Sequence, residues 1–171
     1  MRYAKIRKMD IANGPGVRVS IFLQGCAFHC KGCFNPETWD FDGGLELTDD
    51  VISEVIELCS LDHITGLSIL GGEPMHPKNR EATLEIAKRF KEKYPKKNIW
   101  CWSGFLFDRD LKDLEVLKYI DVLVDGQFVE EKRNPKLKWR GSSNQRVIDV
   151  KKSLKTKKLC LLDFEEAVCK A

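Results

Sequence analysis

The chain of 171 residues has no apolar run of membrane-spanning length. Stretches such as Val51 to Ile56 are broken by charge far short of the roughly 20 residues a spanning helix needs. The opening Met1-Arg2-Tyr3-Ala4-Lys5-Ile6-Arg7-Lys8 has no apolar core and no small-residue cleavage site, so export is not expected and the cytoplasm is the expected location. There is no repeat, low-complexity stretch or linker, so a single domain over residues 1–171 is expected. Histidine is scarce, at three, and no nucleophile motif is present, so no side chain is assigned as a catalytic acid, base or nucleophile. Disorder is excluded by a composition that is 43% hydrophobic and 32% charged.

Two features are unevenly distributed. The net charge of +3 conceals a basic segment, 131–171, with twelve Lys and Arg against five Asp and Glu. Its aromatics are only Trp139 and Phe164, too few to stack nucleobases, so it reads as a solvated face or a docking surface for an acidic partner, not as a nucleic-acid site. Cysteine is abundant and odd in number, at seven, which argues against a disulfide framework. Three fall within eight residues. Of the scattered four, Cys59 and Cys101 are expected to be small buried hydrophobes.

Periodicity gives an alternation of strands and helices. Val17–Gln24 is β-branched and aromatic and follows the turn Asn13-Gly14-Pro15-Gly16. Thr48 offers a helix cap, with Val51, Ile52, Val55, Ile56 and Cys59 on one face behind it. Gly66–Leu70 and Asn98–Trp102 read as strands, separated by a helix over Asn79–Tyr94 that Pro95 stops. A helix over Asp108–Tyr119, a strand at Val122–Val124, another at Arg146–Val150 and a short apolar run at Leu159–Leu162 follow. This pattern predicts an α/β fold on a parallel sheet. An eight-fold barrel takes about 250 residues, so the expectation is an incomplete, laterally open (βα) barrel of about five or six units. In such a fold the chemistry sits at the carboxyl ends of the strands. There the sequence places a cysteine loop over residues 25–34, Gly71-Gly72-Glu73-Pro74, and Asp125-Gly126-Gln127.

The cysteine spacing is Cys26-x3-Cys30-x2-Cys33. One loop with this spacing can give each thiolate to a different iron of a [4Fe–4S] cluster, and three thiolates leave one iron open for a ligand. Two other readings stand on spacing alone. A zinc site could recruit His29 or a distant cysteine, although no second Cys-x2-Cys knuckle is present, and Cys30 with Cys33 could form a redox disulfide that leaves Cys26 without a role.

With its flanks Asn13-Gly14-Pro15-Gly16-Val17-Arg18 and Phe34-Asn35-Pro36-Glu37-Thr38-Trp39, the motif resembles the radical S-adenosylmethionine superfamily, and within it the glycyl-radical activating enzymes. Gly71-Gly72-Glu73-Pro74, Asp121–Phe128 and Trp139–Arg146 are similar to the activating proteins of anaerobic ribonucleoside-triphosphate reductases. The resemblance implies that Cys26, Cys30 and Cys33 hold a [4Fe–4S] cluster whose open iron takes the methionyl end of S-adenosylmethionine. It implies reductive cleavage to a 5′-deoxyadenosyl radical, with a donor such as flavodoxin, and a glycyl radical on the reductase. An activating enzyme for pyruvate formate-lyase or another glycyl-radical enzyme is the nearer alternative, and a non-catalytic zinc or ferredoxin-like module the more distant one. By the same likeness Gly71, Gly72 and Glu73 meet the cofactor's amino group, and Gly32, Cys33 and Phe34 its adenine, with Ser103 beside Gly104 as a further contact. Asp125 aligns with an acid that helps place a monovalent cation in related enzymes, where Gln127 stands in place of a lysine; a turn-capping role is the alternative. The Arg140–Arg146 run receives no role.

Overall fold

A computed structural model describes residues 1–162; the end of the basic segment, with Phe164 and Cys169, lies outside the described residues. Strand β1 (Arg2–Asp10) turns through residues 11–16 into β2 (Val17–Leu23), and the two pair antiparallel. A six-residue connection is too short for a parallel crossover, which takes a dozen residues or more. After the cysteine loop come the two-residue β3 (Leu45–Glu46) and helix α1 (Asp49–Leu58). Thr48 caps α1 by accepting from Val51 N, and Ile52, Val55 and Ile56 turn inward. Strand β4 (Ile64–Gly71), helix α2 (Arg80–Lys93), β5 (Asn98–Trp102), β6 (Val122–Asp125), β7 (Arg146–Asp149) and helix α3 (Val150–Thr156) complete the order. No helix among the described residues is long and apolar enough to cross a membrane.

The seven strands form one open sheet in the order β3-β1-β2-β4-β5-β6-β7. Only β2, β4, β5 and β6 are mutually parallel; β1, β3 and β7 run antiparallel to their neighbours. The expectation of an all-parallel sheet of five or six units is therefore corrected to an open, mixed α/β sheet, consistent with a partial (βα) barrel. The expected helix over Asp108–Tyr119 is also corrected. It is a five-residue π turn at Phe107–Leu111 and a 3₁₀ turn at Glu115–Lys118, separated by an extended Leu114. Aspartates break the regular run: Asp110 turns its carboxylate back to accept from Leu106 N at 2.9 Å.

Strand parity sorts the side chains. Val19, Ile21, Leu67, Ile69, Ile99, Cys101, Leu123 and Ile148 join α1 and α2 in the main core. Their neighbours Trp100, Val122, Val124 and Val147 face the other way, with Trp102 and Trp139 against them. On that second face, near the amino ends of the strands, lies Arg18, wholly buried. Its guanidinium donates to Ser68 Oγ, Asn98 Oδ1 and the carbonyls of Pro15, Leu67 and Asn98, all neutral acceptors. Burial lowers its pKa to about 10, so it stays charged at neutral pH. This satisfied cation ties β2, β4 and β5 together at the end of the sheet away from the cysteines.

Candidate functional site

The cysteine loop leaves the carboxyl end of β2 and returns against it. Gly25 N donates to Thr38 O at 2.8 Å and Cys26 N to Trp39 O at 3.0 Å. Cys33 N donates to Cys30 O at 3.1 Å, closing the turn between the last two cysteines, and Cys33 Sγ accepts from Asn35 N at 3.4 Å. The segment from β4 is laid directly on this loop. Gly72 N donates to Leu23 O and Glu73 N to Gly25 O. A Cβ on Gly71 would stand 2.6 Å from Leu23 N, and one on Gly72 2.5 Å from Gly25 O, so both glycines are required by the approach of one backbone to another.

A cavity of about 520 Å³ opens between these loops. Cys26, Cys30, Cys33 and Phe34 line it from the cysteine loop, and Gly71, Gly72 and Glu73 from β4, with Ser103 and Gly104 from the end of β5. Residues distant in sequence and named together by the motif reading thus share one enclosure. Cys26, Cys30 and Cys33 are free thiols, and burial pushes the Cys26 thiol upward. Among the described residues no three His, Cys, Asp or Glu side chains converge on a single ion. A zinc site closes its ligands around one ion, whereas a cubane takes each thiolate on a separate iron.

Glu73 is the carboxylate of the enclosure, 2% exposed, with Arg7 the cation that also lines it. Its Oε1 accepts from Ser103 Oγ at 2.7 Å and Met75 N at 2.9 Å, and its Oε2 from Gly104 N at 2.6 Å. Burial outweighs these donors and pushes its pKa up to about 7. Ser103 and Gly104, expected as second-line contacts of a cofactor, both hold the carboxylate of Glu73.

Two expected residues stand apart from the cavity lining. Gly32 is exposed on the outer side of the loop, beside the Glu130 carboxylate that pairs with Lys31. Asp125 shares strand parity with Leu123 and therefore points to the helix-covered face. There it is fully buried, accepting from Phe107 N at 2.7 Å and from Arg146 at 2.9 and 2.6 Å. Phe34 is 58% exposed, with its ring edge-on to Phe128 at 5.2 Å and Arg133 over it.

Some functional structure escaped the sequence reading. Asn79 sits at the amino-terminal boundary of α2 yet makes no capping bond. Its Nδ2 instead donates to Gln24 O, Gly25 O and Glu73 O at 3.0, 3.1 and 3.0 Å, joining the cysteine loop to the Glu73 segment. The Arg140–Arg146 run now has a physical role. Gln145 accepts from Gly141 N and Ser142 N and donates to Gly126 O, Arg140 donates to Gln145 O, and Trp102 Nε1 donates to Trp139 O. The run straps the loop after β6 against the cavity wall.

A family model described as a 4Fe-4S single cluster domain matches residues 12–148. The anaerobic ribonucleoside-triphosphate reductase-activating protein of Enterobacteria phage T4 is 42% identical over 147 residues, covering 86% of this chain and 93% of that protein. The protein of the same name from Vibrio cholerae is 43% identical over 148 residues, 85% of this chain and 96% of its own length. That from Escherichia coli K12 is 39% identical over the same coverage. Likeness of this extent over nearly the whole relative, together with three thiols and a buried glutamate around one cavity, settles the family: the chain belongs to the radical S-adenosylmethionine proteins that are named as activating anaerobic ribonucleoside-triphosphate reductase.

Proposed function

We propose that this chain installs a glycyl radical on an anaerobic ribonucleoside-triphosphate reductase, acting as a single radical S-adenosylmethionine domain in the cytoplasm. The observation that carries the reading is the convergence of three free thiols and the buried Glu73 on one cavity at the carboxyl edge of the parallel strands. Cys26, Cys30 and Cys33 would hold a [4Fe–4S] cluster, with S-adenosylmethionine beside it. Bound there, the pair would supply the one-electron reductive chemistry by which a hydrogen is taken from a glycine of the partner.

The chain's own residues bind and exclude. Glu73 presents its carboxylate to the ammonium of the methionyl end, held in place by Ser103, Gly104 and Met75. With its pKa near 7, arrival of a cation favours the ionised form, so binding tightens as pH rises through neutrality. Gly72 and the Cys33–Phe34 segment meet the rest of the cofactor. Phe22, Phe28, Leu70 and Trp102 give the cavity apolar walls, which keep water from a radical. The unclosed sheet leaves a side for an extended glycine-bearing segment to enter. A flavodoxin is the proposed electron donor.

The test is anaerobic incubation of the reduced protein with S-adenosylmethionine and the reductase, read by electron paramagnetic resonance. A glycyl-radical doublet on the reductase is the expected result. Cofactor cleavage with no doublet there, and a doublet on another glycyl-radical enzyme, would reassign the partner.

A further inference from the structure

Trp39 carries an indole N–H for which no described residue provides an acceptor. Its Nε1 is shielded from solvent and has no hydrogen-bond partner among the described residues. Indole nitrogen is a donor only, and native interiors leave few donors unpaired unless something else occupies the adjoining space. Ser20 Oγ, Tyr94 OH, Arg140 Nε and Asn144 Oδ1 share this state, but of the five residues only Trp39 lines the cavity of the three thiols.

Trp39 is held at two points, one on its backbone and one on its ring. Its own carbonyl accepts from Cys26 N at 3.0 Å, which places it against the first cysteine. The imidazole of exposed His29 stacks on it at 4.6 Å with an interplanar angle of 18°. His29, between Cys26 and Cys30, keeps this position with a left-handed backbone (φ 49°), a conformation that disfavours residues bearing a Cβ and persists where the surroundings enforce it. Swinging outward to find water would cost the indole its stack on His29.

We propose that the Trp39 indole N–H donates to sulfur of the cluster held by Cys26, Cys30 and Cys33, and so raises the reduction potential of that cluster. The inference rests on the reading of these three cysteines as cluster ligands. Thiolate and sulfide sulfur are the acceptors which that ligand set brings into the cavity. A hydrogen bond to sulfur stabilises the reduced cluster, which carries one more negative charge, and hydrogen bonding to the sulfurs is a principal determinant of cluster potential. His29 serves as a positioning residue, holding the ring from outside.

Trp39→Phe keeps an aromatic ring for His29 and removes the N–H together with the five-membered part of the indole. Iron and sulfide content should match the parent protein. In a redox titration followed by electron paramagnetic resonance, the reduced-to-oxidised ratio at a fixed poise should fall about three- to tenfold, tenfold corresponding to 59 mV for one electron. In parent protein labelled with indole-¹⁵N tryptophan, pulsed resonance of the reduced cluster should show a weak ¹⁵N coupling that Trp39→Phe lacks. Full cluster content with an unmoved potential would overturn the proposal, as would unmoved potential with weakened S-adenosylmethionine binding, which would put the acceptor on the cofactor. If the variant fails to hold a cluster, the labelled parent decides alone, and absence of ¹⁵N coupling overturns the proposal. A parent protein that binds no iron or sulfide would instead overturn the reading beneath it.

Discussion

Gly72 lies where the segment leaving β4 crosses the cysteine loop, and adding one methyl group there tests how tightly the site is built. A Cβ would stand 2.5 Å from Gly25 O, 2.9 Å from Gly25 C and 3.0 Å from Gly25 N. All three are backbone atoms, so no side chain can rotate aside. Bringing the nearest out to ordinary contact at 3.4 Å demands a displacement of about 0.9 Å. The two segments are pinned together by Gly72 N on Leu23 O, Glu73 N on Gly25 O and the amide of Asn79, so the displacement must pass to Glu73 or to Cys26. Overpacking of this kind costs about 1–3 kcal/mol of stability. A misplacement on the order of 1 Å at a reacting constellation costs about a hundredfold in rate. Gly72→Ala should therefore still fold and still take up iron and sulfide, melt several degrees lower, and cleave S-adenosylmethionine about a hundredfold more slowly in a single turnover. Methionine released per cluster, measured anaerobically after reduction, is the assay. A parent-like rate with an unchanged melting temperature would refute the claim that the Gly72 and Gly25 backbones are held at their limit of approach.

Glu73→Gln removes the one buried carboxylate of the cavity, and S-adenosylmethionine affinity measured by equilibrium dialysis should drop roughly 10- to 100-fold; unchanged affinity would remove Glu73 from the binding site. The same carboxyl also shapes stability. Its folded pKa of about 7 lies above the ordinary 4.5, so the folded state keeps a proton that the unfolded state releases, and stability falls by about 3 kcal/mol as pH rises from 4.5 to 7. Glu73→Gln should flatten denaturation midpoints across that window. Asp125→Asn should cost about 2 kcal/mol, less than a fully buried pair because Arg146 is partly exposed and keeps Asp108, and leave cofactor affinity within about twofold. Replacing Lys151, Lys152, Lys155, Lys157 and Lys158 by Glu should weaken reductase binding about tenfold or more at low salt; unchanged affinity would leave this face without a docking role.

How far the site was legible in the sequence depends on the range of each signal. Cys26, Cys30 and Cys33 announce themselves by spacing within a single loop, and Thr48 announces α1 by local hydrogen bonding. Strand β1 carries no alternation to mark it: Arg7, Lys8 and Met9 are exposed in succession and only Asp10 is buried, and beyond Arg2 and Tyr3 it pairs on one side only, with β2. The orientation of β7 is decided by what lies across from it, which its four residues do not encode. Asp125 shows the same limit at one position. Counting on from Leu123 fixes which residues share its face, but Val122 and Val124 are as apolar as Leu123, so the sequence could not say which face held the cavity. Asn79 has no local signature for bridging two loops, because at the start of a helix the same residue type reads as a cap.

The central claim is that Cys26, Cys30 and Cys33 alone hold a four-iron cluster, and metal and sulfide analysis of anaerobically reconstituted protein tests it most directly. The account predicts about four iron and four sulfide per chain, falling below about one in Cys26→Ala, Cys30→Ala and Cys33→Ala, and unchanged in Cys59→Ala and Cys101→Ala. Stoichiometric zinc without sulfide, or a Cys30→Ala protein with undiminished iron, would contradict it.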